Sequence, residues 1–183
     1  MKEKKWNCFG AVFTAVFGSL LHFLYAWFPS DFTAVFGAVN ESTWEHMKLA
    51  FWPMLFFAAV EYLLYGKRTK GFLPIRICSI LIAVLLIPIL FYSYTGVFGK
   101  SVLLLDLLIF YGSVAAAYTF SCKQLQNPWH GFRTLWAKLL SCAVLLVMLV
   151  CFLSFTPKAP QLPLFRDPIS GSYGIVQQTL LRT

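Results

Sequence analysis

Five long apolar runs, separated by short polar connections, dominate the pattern of hydrophobic and polar positions along the chain. Each run is long enough for a helix to cross the ~30 Å hydrocarbon core of a membrane, which takes about 20 residues. The runs lie at about 8–28, 43–65, 72–94, 101–120 and 135–155. The pattern predicts an all-α fold, a polytopic membrane bundle of five transmembrane helices that forms a single integral-membrane domain over residues 1–183.

Prolines indicate where the predicted helices bend and where the bundle ends. Pro53 and Pro88 fall inside apolar runs, where a missing N–H group and the ring kink a helix. The segment 156–183 contains four prolines and therefore cannot form a sixth transmembrane helix. We predict that this segment is a Pro/Gly-rich external tail.

The composition argues against a soluble globular domain and against a nucleic-acid-binding protein. Hydrophobic residues make up 59% of the chain and charged residues 12%, whereas a soluble domain carries roughly 25% charged residues. The 15 lysines and arginines are spread thinly between apolar runs, so the chain lacks the basic stripe of a nucleic-acid-binding protein. The five cysteines show no CxxC spacing and are interpreted as packing residues.

Lysine and arginine are distributed unequally between the two sides of the predicted bundle. Ten of them lie on the side of the N-terminus and five on the other side. Because basic residues accumulate in cytoplasmic loops, we predict a multi-pass protein of the cell membrane with a cytoplasmic N-terminus and an external C-terminus.

Four ionisable residues inside the predicted spans need an explanation, because a charge at mid-membrane costs about 2.5–3.5 kcal/mol on insertion scales: His22, Glu61, Arg76 and Asp106. Glu61 and Arg76 lie near the cytoplasmic ends of neighbouring helices and form an ion pair in the simplest interpretation. A proton or substrate path through Glu61 is the alternative. His22 and Asp106 both lie in the outer third of the membrane, so their depths match.

The densest polar run of the chain, residues 40–48, stands at the outer end of the second predicted helix. Ser42 and Glu45 match a capping box, and Trp44 is typical of the interfacial aromatic belt. Helical spacing places Glu41 and Lys48 on the same face as Glu45. A helix cap needs no further polar residues, so the excess polarity favours an outward-opening pocket between the first, second and fourth spans.

Imidazoles and carboxylates are the groups that this pocket would collect. The candidate catalytic residues are His22, Glu45, His46 and Asp106. The candidate binding residues are Tyr25, Asn40, Glu41, Lys48, Asp167 and Tyr173. Such groups can hold zinc or another divalent metal, or act as an acid–base pair. Because the spacing matches no known metal motif, a metal site, an acid–base or ligand-holding cluster, and purely structural pairing all stay open.

Several stretches of the chain resemble an uncharacterised family of small bacterial integral-membrane proteins, known only as a domain of unknown function. The most specific stretch is Asn-Glu-Ser-x-Trp-Glu-His-x-Lys at 40–48, which continues into Phe-Trp-Pro at 51–53. His22 with Tyr25, and the tail segments 164–168 and 171–174, complete the resemblance. It implies a bacterial membrane protein without an established activity, and it suggests that the tail and the polar run form one surface.

Two classes of function follow from these observations. The first is an intramembrane enzyme, a hydrolase or transferase, that acts on a lipid or another amphipathic substrate. The second is a non-enzymatic ligand-binding, transport or accessory subunit. In both, membrane lipids are the expected partners, nucleic acid is not, and assembly into a homo-oligomer stays open.

Overall fold

Five long helices and one short helix make up the computed structural model, which describes residues 2–175. The helices are α1 (Lys2–Trp27), α2 (Asp31–Phe36), α3 (Thr43–Leu64), α4 (Phe72–Phe98), α5 (Leu103–Gln126) and α6 (Leu135–Phe155). All except α2 are long and apolar enough to cross a membrane. The described range contains no strand. The prediction of an all-helical chain with five membrane-spanning helices is confirmed at this level.

Helix α3 is the central helix of the bundle, because 14 of its 22 residues are buried. It packs against α1 and α4, while α5 packs against α1 and α4, and α6 packs against α4. Phe51, Trp52 and Phe57 of α3 belong to the main apolar core. Pro53 lies inside α3 and Pro88 inside α4, as their positions within the apolar runs predicted.

Two glycines let α1 approach its neighbours closely. A Cβ atom added at Gly10 would lie 2.5 Å from the ring carbons of both Phe57 and Tyr118. A Cβ atom added at Gly18 would lie 2.6 Å from the Leu49 carbonyl oxygen and 2.7 Å from the Phe110 ring. Small residues at such crossings allow helix backbones to pack without a gap. They hold α1 against both α3 and α5.

Three helix ends lie four or more residues beyond the predicted spans, among them the start of α1 at Lys2. Helix α4 continues past residue 94 to Phe98 and ends at Gly99, whose left-handed backbone conformation (φ 70°) suits a glycine C-cap. Helix α5 continues past residue 120 to Gln126. Hydropathy marks where a helix leaves the hydrocarbon core, whereas backbone hydrogen bonding continues until a residue such as Gly99 ends the helix.

The short helix α2 was not predicted. Ser30 caps it by accepting a hydrogen bond from the Thr33 backbone N–H at 3.1 Å, and the Thr33 hydroxyl accepts from the Ser30 N–H at 3.1 Å. Thr33 and Ala34 are buried. A helix of six residues is too short to give a recognisable apolar periodicity. It fills the connection between α1 and α3.

The described part of the tail, up to residue 175, folds back onto the bundle. Phe165 packs against the rings of Trp44 and Phe155, with ring centroids at 4.7 and 5.6 Å. Nδ2 of Asn40 donates a hydrogen bond to the Gly174 carbonyl at 2.8 Å. Trp44 is therefore buried under the tail, and its assignment to the interfacial belt was wrong. Residues 176–183 of the predicted tail lie outside the described residues.

Candidate functional site

A cavity of about 570 Å³ opens at the end of the bundle where α3 begins. We call this end the histidine end, because His22 and His46 lie there, and the opposite end the arginine end, after Arg76. Residues of α1, α3, α4 and α5 form the walls of the cavity, and Pro168 and Ile169 of the tail complete these walls. The tail therefore borders the cavity, in keeping with the idea that it shares a surface with the polar run.

Three side chains from separate segments converge on one wall of this cavity. His22 comes from α1, Glu41 from the connection before α3, and His46 from the first turns of α3. Nε2 of His22 lies 3.6 Å from one carboxylate oxygen of Glu41, and Nε2 of His46 lies 3.6 Å from the other. The two imidazole rings are 5.4 Å apart, centroid to centroid. We call these three residues the His–Glu–His cluster.

The hydrogen bond at the far side of the His46 ring sets which nitrogen faces Glu41. Nδ1 of His46 lies 2.9 Å from the Ser42 carbonyl oxygen. A carbonyl oxygen can only accept, so Nδ1 carries the proton and donates it. In the neutral ring, Nε2 therefore presents a lone pair towards the cluster. For His22 the described residues give Nδ1 no hydrogen-bond partner, although this atom is buried.

Glu41 reaches the cluster because it precedes the helix. Helical spacing placed it on one face with Glu45 and Lys48, but α3 begins only at Thr43. The 100° rotation per residue that defines a helix face does not apply before that point. That placement was wrong, and the Glu41 carboxylate lies between the two histidines instead, with 42% of the side chain exposed.

Glu45 and Lys48 form a buried ion pair outside the cavity lining. Oε2 of Glu45 accepts from the Lys48 ammonium at 2.6 Å and from the Val39 backbone N–H at 3.0 Å. Lys48 also donates to the Ala34 carbonyl at 2.8 Å and to the Thr156 hydroxyl at 3.1 Å. Ser42 caps α3 through the Glu45 N–H, but the Glu45 carboxylate does not return to the N-cap as a capping box requires. The pair holds α2, α3 and the start of the tail together.

Asp106 lines the same cavity as the His–Glu–His cluster but has a different partner. The Tyr94 hydroxyl of α4 donates a hydrogen bond to its carboxylate. The same hydroxyl accepts from the Val102 N–H at 3.1 Å, which ties the α4–α5 connection to the site. Sequence reasoning did not find Tyr94, since an isolated tyrosine in an apolar run gives no signal.

The remaining predicted site residues lie around the cavity without lining it. Asn40 anchors the tail through Gly174, as described above. Asp167 is buried and accepts from the Ile169 N–H and the Ser170 hydroxyl, so it stabilises its own turn. Tyr25 is half-buried and Tyr173 pairs with Arg166 in an isolated β-bridge.

At the arginine end, the ion pair between Glu61 and Arg76 is present and buried. Oε1 of Glu61 lies 2.5 Å from Nη2 of Arg76, and the Tyr65 hydroxyl donates to the same oxygen. Nη1 of Arg76 donates to Oδ1 of Asn7 at 3.0 Å and to the Ser121 hydroxyl at 2.6 Å. Burial raises the pKa of the Tyr65 phenol, so it stays a donor at neutral pH. Four helices meet in this network.

The fold and the site define a multi-pass helical membrane protein with a polar cluster on the wall of an apolar cavity. The model of the family of unknown function DUF6512 matches residues 1–175, so the chain belongs to that family. No curated protein and no solved structure matches the chain.

Proposed function

We propose that this protein is an intramembrane hydrolase whose cavity takes a lipid or another amphipathic substrate. The observation that supports the proposal is the position of the His–Glu–His cluster on the wall of a largely apolar cavity. At about 570 Å³, the cavity falls within the range of small-molecule sites, roughly 300–1,000 Å³.

The distribution of polar groups in the cavity favours an amphipathic substrate. Phe23, Leu49, Ile87, Phe91 and Leu107 supply apolar wall that suits an acyl chain or another hydrocarbon. The polar groups come from the His–Glu–His cluster, Asp106, and the hydrogen-bonded Ser19 and Tyr111 hydroxyls. A headgroup and its ester linkage would bind against these groups while the hydrocarbon lies on the apolar wall.

Among the reaction classes considered, hydrolysis requires only water in addition to the substrate and the side chains that line the cavity. Water adds across the ester bond: its hydroxyl goes to the acyl or phosphoryl group, and its proton goes to the alcohol that leaves. Imidazole and carboxylate side chains are the common carriers of such protons. A transferase would use a second alcohol in place of water, so the products distinguish the two reactions.

The proposed orientation places the cavity in the outer leaflet of a bacterial cell membrane. Lys67, Arg68, Lys70, Arg133 and Lys138 all lie at the arginine end, in or beside the two connections there. An excess of basic residues is typical of the cytoplasmic side. The histidine end and the tail then face outward.

Cysteine labelling in intact cells tests this orientation. In a chain whose five native cysteines are replaced by serine or alanine, we expect Lys158→Cys to react with a membrane-impermeant maleimide and Lys67→Cys to react only after permeabilisation. Both positions are exposed in the structure, so a difference in labelling reports the side of the membrane. Equal labelling of the two variants would contradict the orientation.

Photo-crosslinking tests whether the cavity holds a lipid. With the protein in vesicles of phosphatidylethanolamine and phosphatidylglycerol that carry a diazirine on one acyl chain, we expect crosslinks in peptides covering 18–23 and 103–111. Leu107→Trp would fill the cavity and reduce them, whereas Leu146→Trp, on the exposed side of α6, would not. Equal crosslinking in both variants would contradict a lipid-filled cavity.

Turnover in the same vesicles tests the enzyme. We expect release of fatty acid or headgroup, and a loss of about 100-fold or more in His46→Ala and Glu41→Gln, since acid–base groups contribute roughly 10²–10⁴-fold. His130→Ala, at the arginine end, is the matched control. Crosslinking without turnover would contradict the hydrolase and favour the alternative, a non-enzymatic ligand-binding or accessory protein.

A further inference from the structure

The spacing within the His–Glu–His cluster is too long for hydrogen bonds. Each histidine Nε2 lies 3.6 Å from a Glu41 oxygen, whereas N–H···O bonds measure about 2.7–3.2 Å. A protonated imidazole would close on a carboxylate to roughly 2.7–2.9 Å. The three groups therefore face one another without a direct bond, across a space that is open to the cavity.

The tautomer of His46 adds an electrostatic reason to expect a cation in that space. Its Nδ1 donates to the Ser42 carbonyl, so in the neutral ring Nε2 is a lone-pair acceptor that faces the Glu41 carboxylate, another acceptor. Two acceptors that face each other repel unless a positive charge lies between them. A ring nitrogen that donates to a backbone carbonyl while the other faces a metal is the usual arrangement of metal-binding histidines.

From these observations we infer that His22, Glu41 and His46 form a binding site for a divalent transition-metal ion, with zinc as the best match. The donor set of two imidazoles and one carboxylate is one that catalytic zinc sites use. Imidazole donors favour zinc and its neighbours in the transition series over magnesium or calcium. This inference deepens the proposed function and rests on it only for the role of the ion, since binding itself needs no substrate.

The distances fit such an ion after a small adjustment. Zinc bonds of about 2.0–2.2 Å with tetrahedral angles place neighbouring donor atoms roughly 3.3–3.5 Å apart. The two His–Glu separations are 3.6 Å, each to a different oxygen of Glu41. One donor atom from each of the three residues lies within 4.8 Å of the other two. The closure that remains between any two donor atoms is therefore at most about 1.5 Å, which is within reach of side-chain rotation.

Three protein ligands leave one tetrahedral position for water or substrate, the pattern of catalytic rather than structural zinc sites. All three residues line the cavity, so this position is accessible from it. A bound ion there would lower the pKa of its water and polarise an ester oxygen. The ligand set leaves a net positive charge that suits a carboxylate, phosphate or ester oxygen.

Metal binding by the purified full-length chain tests the site directly. After treatment with EDTA and dialysis, we expect the detergent-solubilised protein to bind about one Zn²⁺ per chain, measured by elemental analysis and calorimetry. Loss of an outer-shell partner alone weakens metal affinity about 10–100-fold. We therefore expect His22→Ala, His46→Ala and Glu41→Gln each to weaken Zn²⁺ binding by roughly 100-fold or more.

The chain offers two matched controls. His130→Ala removes the third of its three histidines, far from the cluster, and Asp106→Asn removes a cavity carboxylate that is bonded to Tyr94. Both should keep full Zn²⁺ binding. Equal loss of binding in His130→Ala and His46→Ala would overturn the site, because it would show binding by surface groups.

The visible absorption spectrum of the unmodified protein tests the metal site without any substitution, so its result does not depend on whether the variants fold. With Co²⁺ in place of Zn²⁺, we expect the intense visible d–d bands of a four- or five-coordinate ion, and Zn²⁺ should abolish them. Weak octahedral bands alone, or none, would overturn the inference. Failure here with intact lipid crosslinking would leave the proposed substrate site standing, whereas metal binding without crosslinking or turnover would leave only the metal site.

Discussion

Replacing Arg76 by leucine should lower the free energy of unfolding by about 3–5 kcal/mol, the usual cost of removing one partner of a buried ion pair. Arg76 is 3% exposed and Glu61 is fully buried. Without the guanidinium, the Glu61 carboxylate keeps only the Tyr65 hydroxyl as a partner, because the other oxygen, Oε2, has no hydrogen bond among the described residues. Asn7 and Ser121 also lose their hydrogen bonds to Arg76.

The double variant Glu61→Leu/Arg76→Leu tests whether the loss of stability comes from the unpaired Glu61 carboxylate or from any substitution at this position. Replacing a whole buried ion pair by apolar residues is often neutral or even stabilising, so we expect the double variant to be more stable than Arg76→Leu. Arg133→Leu, an exposed change at the same end, should stay within about 0.5 kcal/mol of the parent protein. Unfolding by SDS in mixed micelles, followed by circular dichroism, measures all four proteins. A double variant less stable than Arg76→Leu would contradict the argument.

The membrane-spanning helices could be predicted because length and hydropathy alone decide them. A run of 20 or more apolar residues has few alternatives to a helix in a membrane, and neighbouring residues have little influence on that outcome. The helix α2 depends instead on a local cap at Ser30 and on burial of Ala34 under Lys48. The cap is local, but the contact with Lys48 is a tertiary consequence of how α1 and α3 are placed.

Only those parts of the site that depend on the position of a residue along its helix could be predicted from the sequence. His22 and Asp106, for which the sequence predicts matching depths, line one cavity together with His46. Glu41 and Glu45, four residues apart, have opposite environments, since one side chain is 42% exposed and the other only 3%. The helix start at Thr43 separates them, because Glu41 precedes α3 and Glu45 lies in its first turn. Boundaries of helices are the least predictable feature of a sequence.

The burial of the Glu45–Lys48 pair is another feature of the structure that the sequence alone does not predict. Its spacing of three residues is visible in the sequence and would usually indicate an exposed pair of small value on a helix surface. In the structure both side chains are almost fully buried. Burial comes from α2 and from Thr156 at the end of α6, which cover the pair. Its energetic weight therefore depends on contacts that are distant in sequence.

Lys48→Met should consequently destabilise the protein by about 3–5 kcal/mol, although it replaces a charge by an apolar side chain of similar length. The three N–H groups of the ammonium have three acceptors, on Glu45, Ala34 and Thr156. Methionine removes all three bonds and leaves the Glu45 carboxylate buried with the Val39 N–H as its remaining partner. SDS unfolding in mixed micelles measures the loss, and Lys158→Met, an exposed change, should have little effect.

Lys48→Arg should not restore stability, which distinguishes a fitted ammonium site from a mere need for positive charge. The side chain of Lys48 is 0% exposed, and the larger planar guanidinium cannot place its donors on the same three acceptors. Because one of these acceptors belongs to Thr156, where the tail begins, both Lys48 variants should also speed proteolysis of 156–175. Parental stability in Lys48→Arg would show that the pair contributes through charge alone, and unchanged proteolysis would show that the tail is held by Phe165 and Asn40 without it.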